Sequence, residues 1–265
     1  SWWLVCLAFR VNSGLIHLLG RETFVAPVRW DKNAWPVVNG NGEIALKMDV
    51  PTLPLKPFEA EPARNEFDEP LGPKWSWLRK PVEERYQIAN GKLRMYGSAE
   101  GLNELKNSPS FVGFRQEDFD FQAETCVKLG NASNGDKAGM TIYMDYNGHY
   151  DVYVAKKGGK WVVGTNYTFG PVNHVEEVTV NSSKVWLRLT GNRSQYMLWY
   201  STNGTDFKQV GTGDARFLST ETLGNFTGIM LGLWAQSPSV KGYADFEYFE
   251  YKQVEPQWPR RRRPQ

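Results

Sequence analysis

The chain has 265 residues, of which 41% are hydrophobic and 23% charged, with a formal net charge of +2. This length and composition fit one large all-β domain or two smaller domains. Its only dense basic run is Arg260 to Arg263, and the opening "SWWLVCLAF" is far shorter than the ~20 apolar residues that span a bilayer, so neither a nucleic acid nor a membrane is expected as a partner.

The first strands of the chain include two adjacent charges of opposite sign. Residues 1–48 contain two or three predicted strands, among them "GRETFVAPV". In a strand, Arg21 and Glu22 point to opposite faces. Because burying an unpaired charge is costly, each of them is either exposed, paired or functional. An apolar strand at residue 1 also predicts that the chain is a fragment of a longer protein.

The sequence pattern changes at residue 49 and again at residue 66. Residues 49–65 are a predicted linker, since "PTLPLKPFEAEP" carries four prolines. From residue 66 to residue 252, strand-length segments alternate with turn residues, and only "EGLNELKN" has a short helical pattern. We predict an all-β, antiparallel two-sheet sandwich, followed by a disordered basic tail over 253–265. The predicted strands are KLRMYG, FDFQAETCVKL, GMTIYMDY, HYDVYVAK, KWVVGTNYT, EEVTVN, KVWLRLTG, QYMLWYS, FKQVG, TGIMLGLWAQ and ADFEYFEYK.

Residues suited to catalysis or metal binding do not cluster along the chain. It has three histidines and neither a GxSxG nor a CxxC motif, so no nucleophilic triad, metal site or cofactor is predicted. Cys6 and Cys126 are interpreted as buried free thiols, with a single bridge as the alternative. The strand carboxylates are expected on a solvated face. They are Asp145, Asp151, Glu176, Glu177, Asp206, Glu247 and Glu250.

Six Asn-x-Ser/Thr motifs occur, against about two expected by chance. This excess predicts a secreted, glycosylated protein, although β-turns also favour these residue types. The candidate glycosylation sites are Asn131, Asn166, Asn181, Asn192, Asn203 and Asn225.

Two groups of segments resemble a known enzyme family. "SWWLVCLAFR" and "HLLGRETFVAPVRWDKNAWPVVNG" resemble the closing blade of the five-bladed β-propeller in glycoside hydrolase family 43. "NEFDEPLGPKWSWLRKP", "SPSFVGFRQ", "GMTIYMDYNGHYDVYV" and "FTGIMLGLWAQ…YADFEYFEY" resemble that family's β-xylosidase-type C-terminal domain, a concanavalin A-like jelly roll. The resemblance extends to about Lys252. It divides the chain into an incomplete propeller end (1–48), the linker and the sandwich (66–252).

The resemblance implies an inverting hydrolase of β-1,4-xylosides or α-L-arabinofuranosides of hemicellulose. The family's catalytic trio, an Asp general base, a second Asp and a Glu general acid, comes from earlier blades that this sequence lacks. No catalytic residue is therefore expected in this chain, and the chain alone is expected to be inactive. Its expected partners are a xylo-oligosaccharide or arabinoside substrate and the upstream propeller of its parent.

The resemblance also implies two substrate-binding residues. Arg21 is expected to donate hydrogen bonds to the terminal sugar, with Glu22 as a structural partner on the opposite face. Phe226 is expected to narrow the pocket mouth, with Phe169 as the alternative, but Phe226 could equally be ordinary core. His17 either borders the pocket or is an ordinary packed or exposed histidine.

Two further expectations concern the sandwich and the first strands. In the alternative function, the sandwich is a non-catalytic carbohydrate-binding module that uses exposed aromatics such as Trp161, Trp186 or Trp234. A propeller piece without its neighbours exposes apolar strands and sheet edges. We therefore expect residues 1–45 to be poorly packed, and residues 66–252 to fold alone.

Overall fold

The computed structural model describes residues 1–12, 16–59 and 61–255 of the chain. Within these ranges it contains seventeen β-strands, one short α-helix and two 3-10 turns at Glu83–Arg85 and Ala215–Leu218. The elements are β1 Trp2–Ala8, β2 Glu22–Trp30, β3 Pro36–Val38, β4 Arg64–Asn65, β5 Tyr86–Ile88, β6 Leu93–Tyr96, β7 Ser110–Arg115, β8 Phe121–Gly130, β9 Lys137–Asp145, β10 Gly148–Lys157, β11 Lys160–Phe169, β12 Val172–Val180, β13 Lys184–Gly191, β14 Gln195–Ser201, β15 Lys208–Asp214, α1 Thr220–Leu223, β16 Met230–Gln236 and β17 Tyr243–Gln253.

Two antiparallel sheets form the sandwich, which confirms the predicted fold class. One sheet has the strand order β12-β11-β10-β9-β16-β7, and the other has the order β15-β14-β13-β8-β17-β6-β5, with β4 paired to β17. All eleven predicted strand segments form strands, namely β6 and β8 to β17. The prediction missed three strands of the sandwich, which are the short strands β4 and β5 and the apolar strand β7.

The core lies between the two sheets and follows from the alternation of the strands. In β8, the alternating residues Phe121, Ala123 and Val127 are fully buried, whereas Lys128 is exposed. Tyr196 from β14 is also fully buried and packs against Phe121. Aromatic side chains of this size bury large apolar areas, so they account for much of the stabilisation of the sandwich.

The segment that joins β1 to β2 inserts into this core. Leu18 and Leu19 are 0% and 1% exposed and belong to the same hydrophobic cluster as the strands of both sheets. The prediction that residues 1–45 are poorly packed is therefore wrong for this segment. The same prediction agrees better with β1, since Val5 and Leu7 of that strand are mostly exposed. The β1-β2-β3 sheet is thus joined to the sandwich through two buried leucines.

Two local differences from the sequence predictions have physical causes. Arg64 and Asn65, assigned to the linker, form β4 because they pair with Glu250 and Phe249 of β17. The rest of the predicted linker contains neither helix nor strand in residues 49–59 and 61–63.

"EGLNELKN" forms turns, not a helix. The Glu104 carboxylate accepts hydrogen bonds from the backbone N–H groups of Lys106 and Asn107, which is a local alternative to helical pairing. Both cysteines are free, with Cys126 buried in β8. At the C-terminus Gln253 ends β17, and the rest of the predicted tail from residue 256 lies outside the described residues.

Candidate substrate-binding site

Two glycines bring the β1–β2 connection against the loop that follows α1. Gly20 and Gly228 have φ angles of +71° and +73°, a backbone region that favours glycine. A Cβ added at Gly228 would lie 2.5 Å from the backbone nitrogen of Gly20, so these two segments of the chain contact each other through their backbones. The Ile229 N–H donates to the Leu18 carbonyl over 2.9 Å. This contact fixes the residues that follow Gly20 relative to those that precede Gly228.

The same contact places Arg21 over Phe226. The guanidinium carbon of Arg21 lies 4.3 Å from the centroid of the Phe226 ring, within the range of a cation–π interaction. Phe226 is 61% exposed, so it is not part of the core. Arg21 is exposed too, and in residues 1–12, 16–59 and 61–255 no carboxylate pairs with it. Its N–H donors are therefore directed to the surface and free for a ligand.

Glu22 has the structural role expected of it. Its carboxylate accepts two hydrogen bonds from Arg10, at 2.9 and 2.8 Å. Arg10 also donates to the backbone carbonyl of Glu117 over 2.6 Å, and this bond reaches the sandwich. The hydrogen bonds to Glu22 raise the pKa of Arg10, so the guanidinium keeps its charge. The pair fixes the start of β2 on the face opposite Arg21.

His17 is packed, and it joins the same two segments. Its ring stacks on Phe9 with the centroids 4.1 Å apart, and its Nδ1 faces the carboxylate of Glu221 in α1. The backbone N–H of His17 donates to the carboxylate of Glu221 over 3.1 Å, and the backbone carbonyl of His17 accepts from the backbone N–H of Thr220. With 7% of its surface exposed, His17 positions the connection and is not directed to a ligand.

The loop that carries Phe226 is shaped by Asn225. The Asn225 side-chain carbonyl accepts from the backbone and hydroxyl of Thr227, and its amide donates to Asp145 over 3.1 Å. The alternative aromatic, Phe169, packs instead against Phe217 with the centroids 5.3 Å apart. Of the two aromatics that sequence reasoning offered, the structure therefore brings only Phe226 to Arg21.

Sequence reasoning missed a second arginine at this place. Arg115 ends β7, and a Cβ added at Gly20 would lie 2.8 Å from its Nη1 atom. Burial lowers the pKa of Arg115, and none of the described carboxylates forms an ion pair with it. "SPSFVGFRQ" contains this residue, but its proximity to Gly20 depends on the docking of two distant segments. Two arginines consequently lie beside the same glycine.

A matched pair of glycine substitutions tests the backbone contact. Gly224→Ala is expected to lower the free energy of unfolding by about 1 kcal/mol, because Gly224 has a φ of +77° but open space around it. Gly228→Ala is expected to cost roughly 1–3 kcal/mol more, since its new methyl group meets backbone atoms. Urea unfolding measures both values. Equal losses would show that the close approach of Gly20 and Gly228 does not contribute.

The six glycosylation motifs differ in exposure. Asn131, Asn181 and Asn203 are exposed, and Asn192 and Asn225 are half-buried. Asn166 is 7% exposed, and its amide donates to Asp151 and Thr168, which leaves no room for a glycan in the folded chain. Asn225 uses its amide to hold the Phe226 loop.

The described residues contain no group of three or more His, Cys, Asp or Glu side chains placed to hold a metal ion. Among the same residues, no helix has the length and apolar character to cross a membrane. The three tryptophans proposed for a binding face do not form an exposed row. Trp234 is buried, and Trp161 and Trp186 are half-buried beneath lysine side chains.

The chain is similar in sequence to known glycosidases along most of its length. The α-L-arabinofuranosidase BoGH43B of Bacteroides ovatus, which acts at the non-reducing end, is 31% identical over 95% of this chain and 49% of its own length. The xylosidase/arabinosidase of Butyrivibrio fibrisolvens is 27% identical over 96% of this chain and 50% of its own length. The chain thus spans about half the length of the curated relatives that it matches.

Solved structures give the same result. The Bacteroides ovatus xyloglucan PUL GH43B has a TM-score of 0.88 at 30% identity, over 96% of this chain and 51% of its own length. The xylan β-1,4-xylosidase of Bacillus halodurans has a TM-score of 0.86 at 29% identity, over 95% and 51%. The family model of the β-xylosidase C-terminal concanavalin A-like domain matches residues 64–252. The chain therefore belongs to the glycoside hydrolase family 43 proteins that carry this C-terminal domain.

Proposed function

We propose that the chain is the downstream half of a glycoside hydrolase that releases terminal xylosyl or α-L-arabinofuranosyl units from hemicellulose. The observation that carries this proposal is the unpaired, exposed Arg21 stacked on the exposed Phe226. A guanidinium presents five N–H donors in a fixed planar fork, which suits the closely spaced hydroxyls of a sugar. The names of the relatives, which include arabinofuranosidases and xylosidases, support the same substrate class.

In this proposal the two residues bind and orient, while the chemistry belongs to the upstream half. Arg21 donates hydrogen bonds to the hydroxyls of the terminal sugar, and the Phe226 ring limits the freedom of the guanidinium and narrows the entrance. Inverting hydrolysis needs a general acid and a general base about 6.5–9.5 Å apart on opposite sides of the glycosidic bond. These carboxylates are proposed to come from the upstream propeller, so that this chain alone is inactive.

The test compares the chain alone with the chain joined to the upstream half of the Bacteroides ovatus relative. Hydrolysis of an aryl β-xyloside and an aryl α-L-arabinofuranoside is measured for both proteins. We expect turnover only in the joined protein. Turnover by the chain alone that disappears when a sandwich carboxylate is replaced would contradict the proposal and place the active site in the sandwich.

We also propose that the protein is secreted, because the exposed Asn131, Asn181 and Asn203 provide accessible glycosylation motifs. The intact mass of the chain recovered from the medium of a eukaryotic host tests this, with Asn166 expected to stay unmodified because it is buried. Retention of the chain inside the cells without any added glycan mass would contradict it.

A further inference from the structure

A polar pocket lies on the outer face of the six-stranded sheet, on the side away from the main core. Its volume is about 450 Å³, and it is bounded by the segment 99–104 and by side chains from β9, β10, β11 and β16. Pockets of 300–1,000 Å³ are of the size that holds small molecules. The proposed function does not use this pocket.

The floor of the pocket contains a buried hydrogen-bond network. His149 and Asp151 are two residues apart on β10, so they lie on one face of the strand, and the His149 Nδ1 atom is 2.9 Å from the Asp151 carboxylate. Asn166 is the direct cross-strand partner of Asp151 and donates to its carboxylate over 2.8 Å. Asp151 is 2% exposed, so the expectation that it faces solvent is wrong.

This network keeps Asp151 charged despite its burial. Burial alone raises the pKa of a carboxyl group, but the imidazole of His149 and the hydrogen bonds from His149 and Asn166 outweigh it and lower the pKa of Asp151. A charged Asp151 fixes the orientation of the His149 ring through Nδ1. The other ring nitrogen of His149 is thereby directed away from the carboxylate.

Three buried side-chain atoms at the pocket form no hydrogen bond among the described residues, and one of them, Oε2 of Glu100, lies 3.8 Å from the guanidinium of Arg85. Among the described residues, neither the Nε2 atom of His149 nor the Nε1 atom of Trp234 forms a hydrogen bond, although their residues are only 1% and 3% exposed. A buried polar atom without a partner costs about 1–3 kcal/mol, so such atoms are rare in folded proteins. Both residues line the pocket, so hydroxyl groups of a molecule bound there would supply the missing partners.

The chemistry of the walls identifies the class of that molecule. Lys137 offers a cationic donor that lies over the rings of Tyr153 and Trp234, while Gln236 and Asn103 offer amides and Glu100 a carboxylate. The lining thus offers both hydrogen-bond donors and acceptors, and it includes both signs of charge. Sugar hydroxyls donate and accept at once, so they satisfy such a lining, whereas a strongly anionic or apolar ligand does not.

We propose that this pocket binds one unit of a neutral saccharide, with His149 Nε2 and Trp234 Nε1–H contacting its hydroxyl groups. It is a second saccharide site in the chain, carried by the sheet and independent of Arg21. The pocket chemistry requires a neutral sugar, and the choice of a xylan fragment as the first probe rests on the proposed function.

The test measures binding to the full chain by ¹⁵N–¹H NMR. Xylotetraose, arabinotriose and cellotetraose are each titrated to about 10 mM, a range that detects affinities as weak as a few millimolar. We expect at least one of them to shift the Trp234 indole N–H signal and the His149 imidazole signals. The Trp234 signal is identified by its disappearance in Trp234→Phe. Because the chain alone is used, the result does not depend on whether a joined protein hydrolyses glycosides.

A matched pair of variants locates the binding. Trp234→Phe keeps an aromatic ring and removes only the N–H donor, and we expect it to weaken binding about tenfold. Trp161→Phe makes the same change on β11 of the same sheet, at a tryptophan that packs against the main core, and should bind like the parent chain. Unchanged melting temperatures confirm that both variants fold. Equal binding by the two variants, or no shift with any of the three saccharides, would overturn the proposal.

Discussion

Replacement of Arg21 by Met in the joined protein is expected to lower kcat/KM for aryl glycosides about 100-fold. Each hydrogen bond from a charged donor contributes about 1.5–3 kcal/mol, and in the proposed function the guanidinium donates two such bonds to one sugar. Arg21→Lys retains the charge but loses the planar fork, so its kcat/KM should fall between those of Arg21→Met and the parent. Initial rates over a range of substrate concentrations give these values.

Arg29 provides the control for this prediction. It lies on β2, the strand that starts next to Arg21, it is exposed, and the two-residue period places both on one face. Arg29→Met is expected to leave kcat/KM within a factor of two of the parent. An equal loss in both variants would mean that positive charge on this face matters and that no specific contact of Arg21 does.

Truncation of Leu19 is expected to destabilise the whole sandwich. Leu19→Ala should lower the free energy of unfolding by about 3 kcal/mol, because it removes buried methyl groups and leaves a cavity in a core that both sheets share. The measurement is urea unfolding followed by circular dichroism, which reports on the strands of the sandwich.

The control is the same substitution on β1. Leu7 is 63% exposed, so Leu7→Ala is expected to change the free energy of unfolding by less than about 0.5 kcal/mol. If Leu19→Ala had an equally small effect, residues 16–20 would not be part of the cooperative unit of the sandwich. The comparison therefore separates the inserted segment from the exposed strand that precedes it.

Local patterns in the sequence were sufficient to predict eleven strands of the sandwich. The segment FDFQAETCVKL forms β8, and the two-residue period predicted that Arg21 and Glu22 point apart. The segments QYMLWYS and FKQVG form the antiparallel pair β14 and β15, and Gly204 between them has a positive φ.

Features that depend on register or docking could not be predicted in this way. Leu18 and Leu19 look like any other apolar pair, and their burial depends on a slot formed by residues about 200 positions later. The spacing of His149 and Asp151 was visible on one strand. Their meeting with Asn166 required the β10–β11 register, and their proximity to Trp234 required the order of the sheet.

The insertion of Leu18 and Leu19 also has a consequence for protein engineering. The proline-rich segment after residue 48 looks like the natural crossover point for exchanging upstream halves between relatives. A crossover there would replace these two leucines with the corresponding residues of a relative, whose side chains pack against a different sandwich. The new side chains would fit this core less well and destabilise it. Chimeras with the breakpoint upstream of residue 16 keep Leu18 and Leu19 together with the sandwich core into which they pack. Their soluble yield should therefore equal that of the parent.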